Sequence, residues 1–457
     1  MREGIPERKA MTGSATTSMA ARGPSRIPRL VCAAIAALIV VGGYHFCRAA
    51  GVTVRVLLAT AQSLDVRVPE GATITDETGA AIARVTGEAG VTFRSRGAAI
   101  VATVAGRELA APGIEVRPEA NGSAWFVLGG SRYRGILRII PGQEGNVLGI
   151  NVLPMEEYLY GVVGCEMPAG WPEEALKAQS VAARSFAMSC REDAACRGAL
   201  YDLASTTEGQ IYRGIEGEDP RTSAAVDSTT GVILVHSGEP VRAVFHSCSG
   251  GHTESSEFVW STAVSYLRGV EDPYDDSPHR SWEVRAAASQ IEGMLAAAGI
   301  DPGRLSGIRG IEAGASGRWS KILVTGSKGE SVLRGSEFRK ALGLKSAWFT
   351  VSEESAGWEE VVSQMTGQAW AIASSGEVKP VPSRFIRSGL AAAGYRYVPG
   401  GYVFQGRGYG HGVGLSQWGA RALANRGHKY PEILQHYYSE TRLDGSEESA
   451  GVDPGKP

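Results

Sequence analysis

The sequence predicts a mixed α+β protein: a β-rich N-terminal part, then a mixed body with a few helices, preceded by one N-terminal transmembrane or signal segment. Three observations predict it. Apolar and polar residues alternate with turn signals between residues 52 and 150, the pattern of half-buried strands. A strong helical run opens at Pro172. Residues 30–46, LVCAAIAALIVVGGYHF, hold no charge in seventeen positions.

Composition supports a globular chain. Of 457 residues 43% are hydrophobic and 21% charged, and 46 Lys and Arg nearly balance 48 Asp and Glu, for a net charge of -2. That balance argues against a dedicated binder of duplex nucleic acid. The 60 glycines follow no period of three, which excludes collagen and points to many turns and close backbone approaches. Six cysteines without a CxxC pair support neither a disulfide scaffold nor a zinc ribbon.

Taken in order, residues 1–29 form a basic tail, expected to be cytoplasmic, with Arg2, Arg8, Lys9, Arg22, Arg26 and Arg29 against Glu3 and Glu7. A basic flank before an apolar run marks a signal anchor or a signal peptide. Residues 30–46 reach the lower limit of ~17–25 residues for a spanning helix. A retained anchor is preferred over cleavage at the weak small-x-small site Cys47-Arg48-Ala49. Everything after residue 50 is then extracytoplasmic, on a single-pass protein of the cell membrane.

Strands are expected at VTVRVLL (52–58), SLDVRV (63–68), ATITD (72–76), GVTFRS (90–95) and across 136–154, so that 52–150 is the β-rich part and 151–440 the body. A helix should run from about 172 to about 190, with Pro172 at its first position and Glu173 and Glu174 in its first turn. Ala175, Ala178, Ala182, Ser185 and Ser189 make a small-residue stripe on it, and Lys177 and Arg184, seven apart, share another face. Strands and Gly turns return over 205–270 and 307–350, followed by a short helix at SEFRKALGL. The stretch 353–401 is rich in Ala, Ser and Gly with little periodicity and reads as an insertion or loop-rich excursion. The end is sharp: Gly427 closes one helix, Pro431 opens another, and 444–457 is a flexible tail.

Several constellations could carry chemistry. GRGYGHGVG places glycines at 406, 408, 410, 412 and 414. It fits neither a Walker loop nor a Rossmann turn, and it exposes backbone polar groups around His411. Gln417 and Trp418 follow, residue types suited to a sugar site; a tight packing crossover is the alternative. Glu166 sits in Gly-Cys-Glu-Met-Pro beside Val162, Val163, Met167 and Trp171. Such surroundings raise a carboxyl pKa by desolvation, as a general acid requires; a helix-capping role is the alternative. His246, Cys248 and His252 could in principle ligate zinc, but the spacing is unusual and a polar loop lining a cleft is the preferred reading. Cys190 and Cys196 could form a disulfide or remain thiols.

Four blocks taken together resemble the SpoIID/LytB family: LPMEEYLYGVVGCEMPAGWPEEALKAQSVAARSFA (153–187), EGQIYRG (208–214), AVFHSCSGGHTESSEFVW (243–260) and GRGYGHGVGLSQWGARALANRG (406–427). The resemblance implies a membrane-anchored peptidoglycan lytic transglycosylase. It would act on glycan strands, with a preference for strands stripped of stem peptides, in sporulation and engulfment, beside the stage II sporulation proteins M and P. It calls for no cofactor, metal or nucleic acid. The family's catalytic acid falls on Glu166. Lys177, Arg184, Gln210, His246, Ser247, Ser249, His411 and Gln417 fall at motif positions expected to bind substrate. Cys165 and Cys248 depart from the family's pattern.

The chemistry is coherent on residue types alone. Lytic cleavage needs one carboxyl group, whereas ordinary glycosidases use a pair. The groove should therefore gather Glu166, Arg184, His246 and His411. Three rivals stand beside this reading. One is a non-catalytic glycan-binding module that modifies a partner amidase. Another is a hydrolase with a second carboxylate among Asp202, Glu208, Asp272 and Asp275. The third is metal-assisted hydrolysis at His246, Cys248 and His252.

Overall fold

The computed structural model describes residues 51–69, 71–119, 124–207, 209–273, 277–363, 370–372, 378–380 and 392–445. The basic tail, the apolar run 30–46 and the last twelve residues lie outside them. Among the described residues no helix is long and apolar enough to cross a membrane.

The alternating segments form two facing sheets. One has seven strands in the order Leu203–Ala204, Thr53–Ala61, Val147–Pro154, Ile136–Pro141, Ile114–Pro118, Gly71–Asp76, Ala81–Thr86. The other has six: Ser131–Arg134, Trp125–Leu128, Ser63–Val68, Ala89–Arg96, Ala99–Val104, Arg107–Ala111. In SLDVRV every second residue (Leu64, Val66, Val68) is buried and its neighbours are exposed, the period-2 signature of a strand with one wet face. These residues share one core with Ile74, Phe93, Ile114 and Phe126.

Strand Val147–Pro154 runs across residues 150 and 151 and leads straight into helix α1 (Met155–Glu166). Helix α2 (Glu173–Arg197) follows, and α3 (Pro220–Asp227) and the short α4 (Ser256–Trp260) come next. Helix α2 starts one residue after Pro172 and runs seven residues past the expected end, to a left-handed Gly198. It is buried around nearly its whole circumference. Val54 and Val56 of the first sheet share one core with Tyr158 and Val162 of α1 and Phe186 of α2. Ala178, Val181 and Ala182 share another with Leu234, Val413, Leu415 and Ile433.

A third region holds α5 (Ala288–Ala297), α6 (Gly335–Leu342) and a three-stranded sheet, Leu305–Ala313, Trp319–Gly326 and Gly329–Arg334. Its core unites Ile291, Leu305, Ile322, Phe338, Phe349 and Phe404. Much of the expected loop-rich excursion is instead paired backbone. Strand Phe349–Ser363 pairs antiparallel with Ala392–Gly406. An Ala, Ser and Gly composition gives no hydrophobic period, so the sequence carried no signal for these strands. Helices α7 (Gln417–Asn425) and α8 (Tyr430–Tyr437) close the fold, with Ser416 capping α7 through its hydroxyl to the Gly419 N–H.

Cys165, Cys190, Cys196 and Cys248 form no disulfide among the described residues. Cys190 and Cys196 both lie on α2. Six residues of helix separate them by about 9 Å of rise, beyond the ~4.4–6.8 Å Cα separation a disulfide spans. The helix running past residue 190 is what removes that bridge.

Candidate active site

Helix α1 ends at Glu166 because Pro168 disfavours helical geometry at Met167, which turns extended. That ending places the Glu166 carboxyl on the wall of a cleft of about 790 Å³. The side chain is half-buried. Its Oε1 accepts from the Ile211 N–H at 3.0 Å. Burial pushes its pKa above the ordinary value, and contacts with Ile211 and Gln417 offset part of that rise. Gln417, first residue of α7, donates from Nε2 to the Glu166 carbonyl at 3.0 Å. The C-terminal block is thereby tied to the end of α1, 251 residues earlier.

Phe245 and His246 also line the cleft and pair in parallel with Leu415 and Ser416. His246 is buried, and its Nδ1 meets the Val413 carbonyl at 3.1 Å. That bond puts the proton on Nδ1 and leaves Nε2 a buried acceptor, which has no partner among the described residues. His411 accepts the Val413 N–H at Nδ1, 3.0 Å away, so its neutral ring carries the proton on Nε2. Burial pushes the His246 pKa well below the usual value, with help from His411 and Arg318. Burial, with Arg339 and Arg318 nearby, takes His411 down to about 4. Both rings are therefore neutral near pH 7; their centroids lie 5.5 Å apart.

Of the sequence-predicted residues, Glu166, Gln210, His246, Ser247, His411 and Gln417 line this cleft together. Lys177, Arg184 and Ser249 do not. Arg184 is fully buried, forked onto Glu156 with its shortest contact at 2.6 Å, and it donates to the Val232 and Val226 carbonyls. It locks α1 to α2, and this corrects the expectation that the groove gathers it with Glu166. Lys177 pairs with Glu173 at 2.7 Å and Glu174 at 3.5 Å on its own helix. Ser249 is buried; its N–H donates to Ser416 and its hydroxyl accepts from the Gly251 N–H. Gln210 faces the cleft, yet its amide accepts from the Tyr158 hydroxyl and donates to the Ala183 carbonyl.

The structure adds residues the motifs did not single out. Trp260 and Tyr409 line the cleft and remain 41% and 42% exposed, which is unusual for large aromatic side chains unless they meet a ligand. The Trp260 ring lies 5.1 Å from His411. Arg242 sits on the rim, bonded to Asp193 at 2.9 Å. The signal for Trp260 was its place at the end of the 243–260 block, but a lone Trp reads equally as core.

Among the described residues lining the cleft, Glu166 is the only carboxyl group. Of the rival carboxylates, Asp202 is held by Arg55 at 2.6 Å, and buried Asp272 accepts from Tyr437. Glu208 and Asp275 lie outside the described residues. No three His, Cys, Asp or Glu among the described residues converge as metal ligands. The His252 ring bonds the Thr253 carbonyl, and Cys248 pairs through its backbone with Tyr409.

Fold and site together define a mixed α/β protein in which four separated sequence blocks enclose one desolvated carboxyl, two neutral imidazoles and exposed aromatic rings. The SpoIID family model, described as stage II sporulation protein, matches residues 143–236, the segment that supplies Glu166 and Gln210. The chain is 30% identical over 307 residues to stage II sporulation protein D of Bacillus subtilis (strain 168), covering 64% of this chain and 74% of that one. It is 30% identical over 317 residues to an uncharacterized protein of Brachyspira hyodysenteriae, covering 69% and 73%. It is 29% identical over 306 residues to the amidase enhancer of Bacillus subtilis (strain 168), covering 62% of this chain and 40% of that one. The chain belongs to the SpoIID family.

Proposed function

We propose that the protein is a peptidoglycan lytic transglycosylase in which Glu166 serves as the single acid and base. The observation that carries this reading is a desolvated carboxyl of raised pKa, alone of its kind among the described residues lining an aromatic-walled cleft. Protonated Glu166 gives its proton to the glycosidic oxygen as the bond to C1 of N-acetylmuramic acid breaks. The resulting carboxylate then takes the proton of the C6 hydroxyl while O6 closes on C1. A 1,6-anhydro ring forms, the proton is back on Glu166, and no water is consumed. A second carboxylate as nucleophile or base is unnecessary, because the attacking oxygen belongs to the substrate. Trp260 and Tyr409 offer faces for sugar rings.

In this reading the protein is held at the cell membrane by residues 30–46 with the cleft extracytoplasmic. It works in sporulation on glycan strands stripped of stem peptides, beside the stage II sporulation proteins M and P. The name of the amidase enhancer relative favours one alternative, in which the cleft binds glycan and modifies a partner amidase. Mass spectrometry of peptide-stripped glycan strands after incubation with the protein decides between them. The expected product ends in 1,6-anhydro-N-acetylmuramic acid. Ordinary reducing ends would mean hydrolysis, and binding without any product would move the protein to the amidase-modifying class.

A further inference from the structure

Beyond Tyr409 the cleft wall continues into cations that no described carboxylate answers. Arg339, in the last turn of α6, donates through Nε to the Lys345 carbonyl at 3.0 Å, and the same carbonyl accepts the Gly410 N–H at 2.9 Å. Arg339 and Lys345 are thus bolted to the glycine run that carries His411. Among the described residues the Lys345 ammonium touches His279, at 3.3 Å, and the His279 ring meets Tyr409 edge-on at 5.1 Å. Arg407, two residues before Tyr409, lies over the Trp348 ring at 5.7 Å. Among the described residues, Arg339, Lys345 and Arg407 form no ion pair with an Asp or Glu. Arg318, the other cation of this region, interacts with buried Glu254 and donates to the Ser249 and His252 carbonyls. The C-terminal end of α6 offers Arg339 about half a unit of negative charge, short of balancing three cations. A half-buried guanidinium without a counter-ion pays a desolvation cost that a bound anion would relieve. Its field already reaches the cleft, for it helps depress the pKa of both His246 and His411.

We infer that Arg339 and Lys345, with Arg407 at the rim, form an anion subsite that takes a carboxylate carried on a sugar ring lying against Tyr409. This rests on the glycan reading above. The muramyl lactyl group is such a carboxylate when free and is an amide when it carries a stem peptide. The subsite therefore gives a physical reason for a glycan enzyme to favour stripped strands: a free carboxylate makes charge-assisted hydrogen bonds to guanidinium and ammonium, and an amide does not.

The test is an affinity measurement on the full chain in detergent, in a Glu166→Gln background so that no turnover intervenes. The probes are peptide-stripped glycan strands and the same strands with their carboxyl groups reduced to alcohols. The expected result is about tenfold tighter binding of the carboxylate form, weakening as salt rises. Lys345→Gln and Arg407→Gln, whose side chains hold no backbone in place, should each shrink that preference, and Arg339→Gln should remove most of it. Equal affinity for the two probes, or a preference unchanged in Lys345→Gln, overturns the subsite and leaves glycan binding intact. Binding of neither probe overturns the glycan reading itself. Stronger competition by a glycerol-phosphate polymer than by the carboxylate strands would assign the cations to phosphate and overturn the carboxylate.

Discussion

Glu166→Gln separates chemistry from architecture. Glutamine keeps the size of the side chain and an oxygen to accept the Ile211 N–H, but it holds no proton to give. A general acid or base contributes about 10²–10⁴ in rate, or about 3–5 kcal/mol of barrier. In the proposed mechanism one group performs both transfers, so activity should fall at least ~10³-fold. Stability should move the other way. Burial raises the Glu166 pKa above its ordinary 4.5, so the folded state holds the proton more tightly than the unfolded chain. The contribution of Glu166 to stability is then complete below about 4.5 and is lost as pH rises through the folded value. Above that value the native protein carries a desolvated charge that glutamine lacks. The variant should melt with the native protein near pH 4 and at a higher temperature near pH 8. The gap grows by about 1.4 kcal/mol for each pH unit between the two pKa values. Product analysis and thermal melts at the two pH values suffice. A variant within tenfold of native activity would refute the single-acid mechanism; one no more stable than native at pH 8 would refute the desolvation argument.

Arg184→Met should destabilise the protein by about 3 kcal/mol, because it leaves Glu156 without its partner and frees two buried carbonyls; kcat per folded molecule, corrected by a melt, should stay near native. Trp260→Ala should raise KM about tenfold through loss of a ring face worth ~1–1.5 kcal/mol, with little change in melting temperature since the ring is 41% exposed. Removing the depressed pKa of His411 with His411→Asn should flatten the stability loss between about pH 6.5 and pH 4, read from denaturation midpoints across that range. Gly410→Ala meets the His246 Cβ at 2.8 Å and a φ of +114°, whereas Gly427→Ala, at φ +93°, meets nothing within 4 Å. The second should cost about 1 kcal/mol of stability, and the first should cost more and reduce activity as well.

The sequence disclosed what periodicity and residue type encode. The alternating strands, α2 and the four chemistry-bearing blocks could all be read from it, and Glu166, His246 and His411 do meet in one cleft. Periodicity also put Lys177 and Arg184 on one face of α2. It could not say that both faces of that helix are covered, so Arg184 was expected in the groove and lies instead between α1 and α2. Arg339 and Lys345 were invisible for a related reason. In SEFRKALGL and the residues after it, nothing distinguishes a solvated cation from one bonded to the His411 loop; only the third region, folding back on the glycine run, does so. The glycine run itself admitted two readings, a ligand loop or a tight crossover. It is both, since Gly410 has no room for a Cβ against His246 while its neighbour His411 faces the cleft.

The electrostatics of the cleft bear on why one carboxyl can suffice. With Glu166 protonated and both imidazoles neutral, Arg242 is the one charged group among the described residues lining the cleft, and an acidic glycan meets no like charge there. In the proposed mechanism, when Glu166 gives up its proton a carboxylate appears beside a sugar carbon that is becoming positive, in surroundings that screen the attraction poorly. Glu166 is then in place to hold that charge and, a moment later, to accept the C6 hydroxyl proton. A second acid ionised nearby would raise the Glu166 pKa further and make it a weaker proton donor to the glycosidic oxygen. Pairing Asp202 with Arg55 and bonding Asp272 to Tyr437 keeps both of these acids out of the cleft, so that Glu166 has no second carboxylate beside it among the described lining residues.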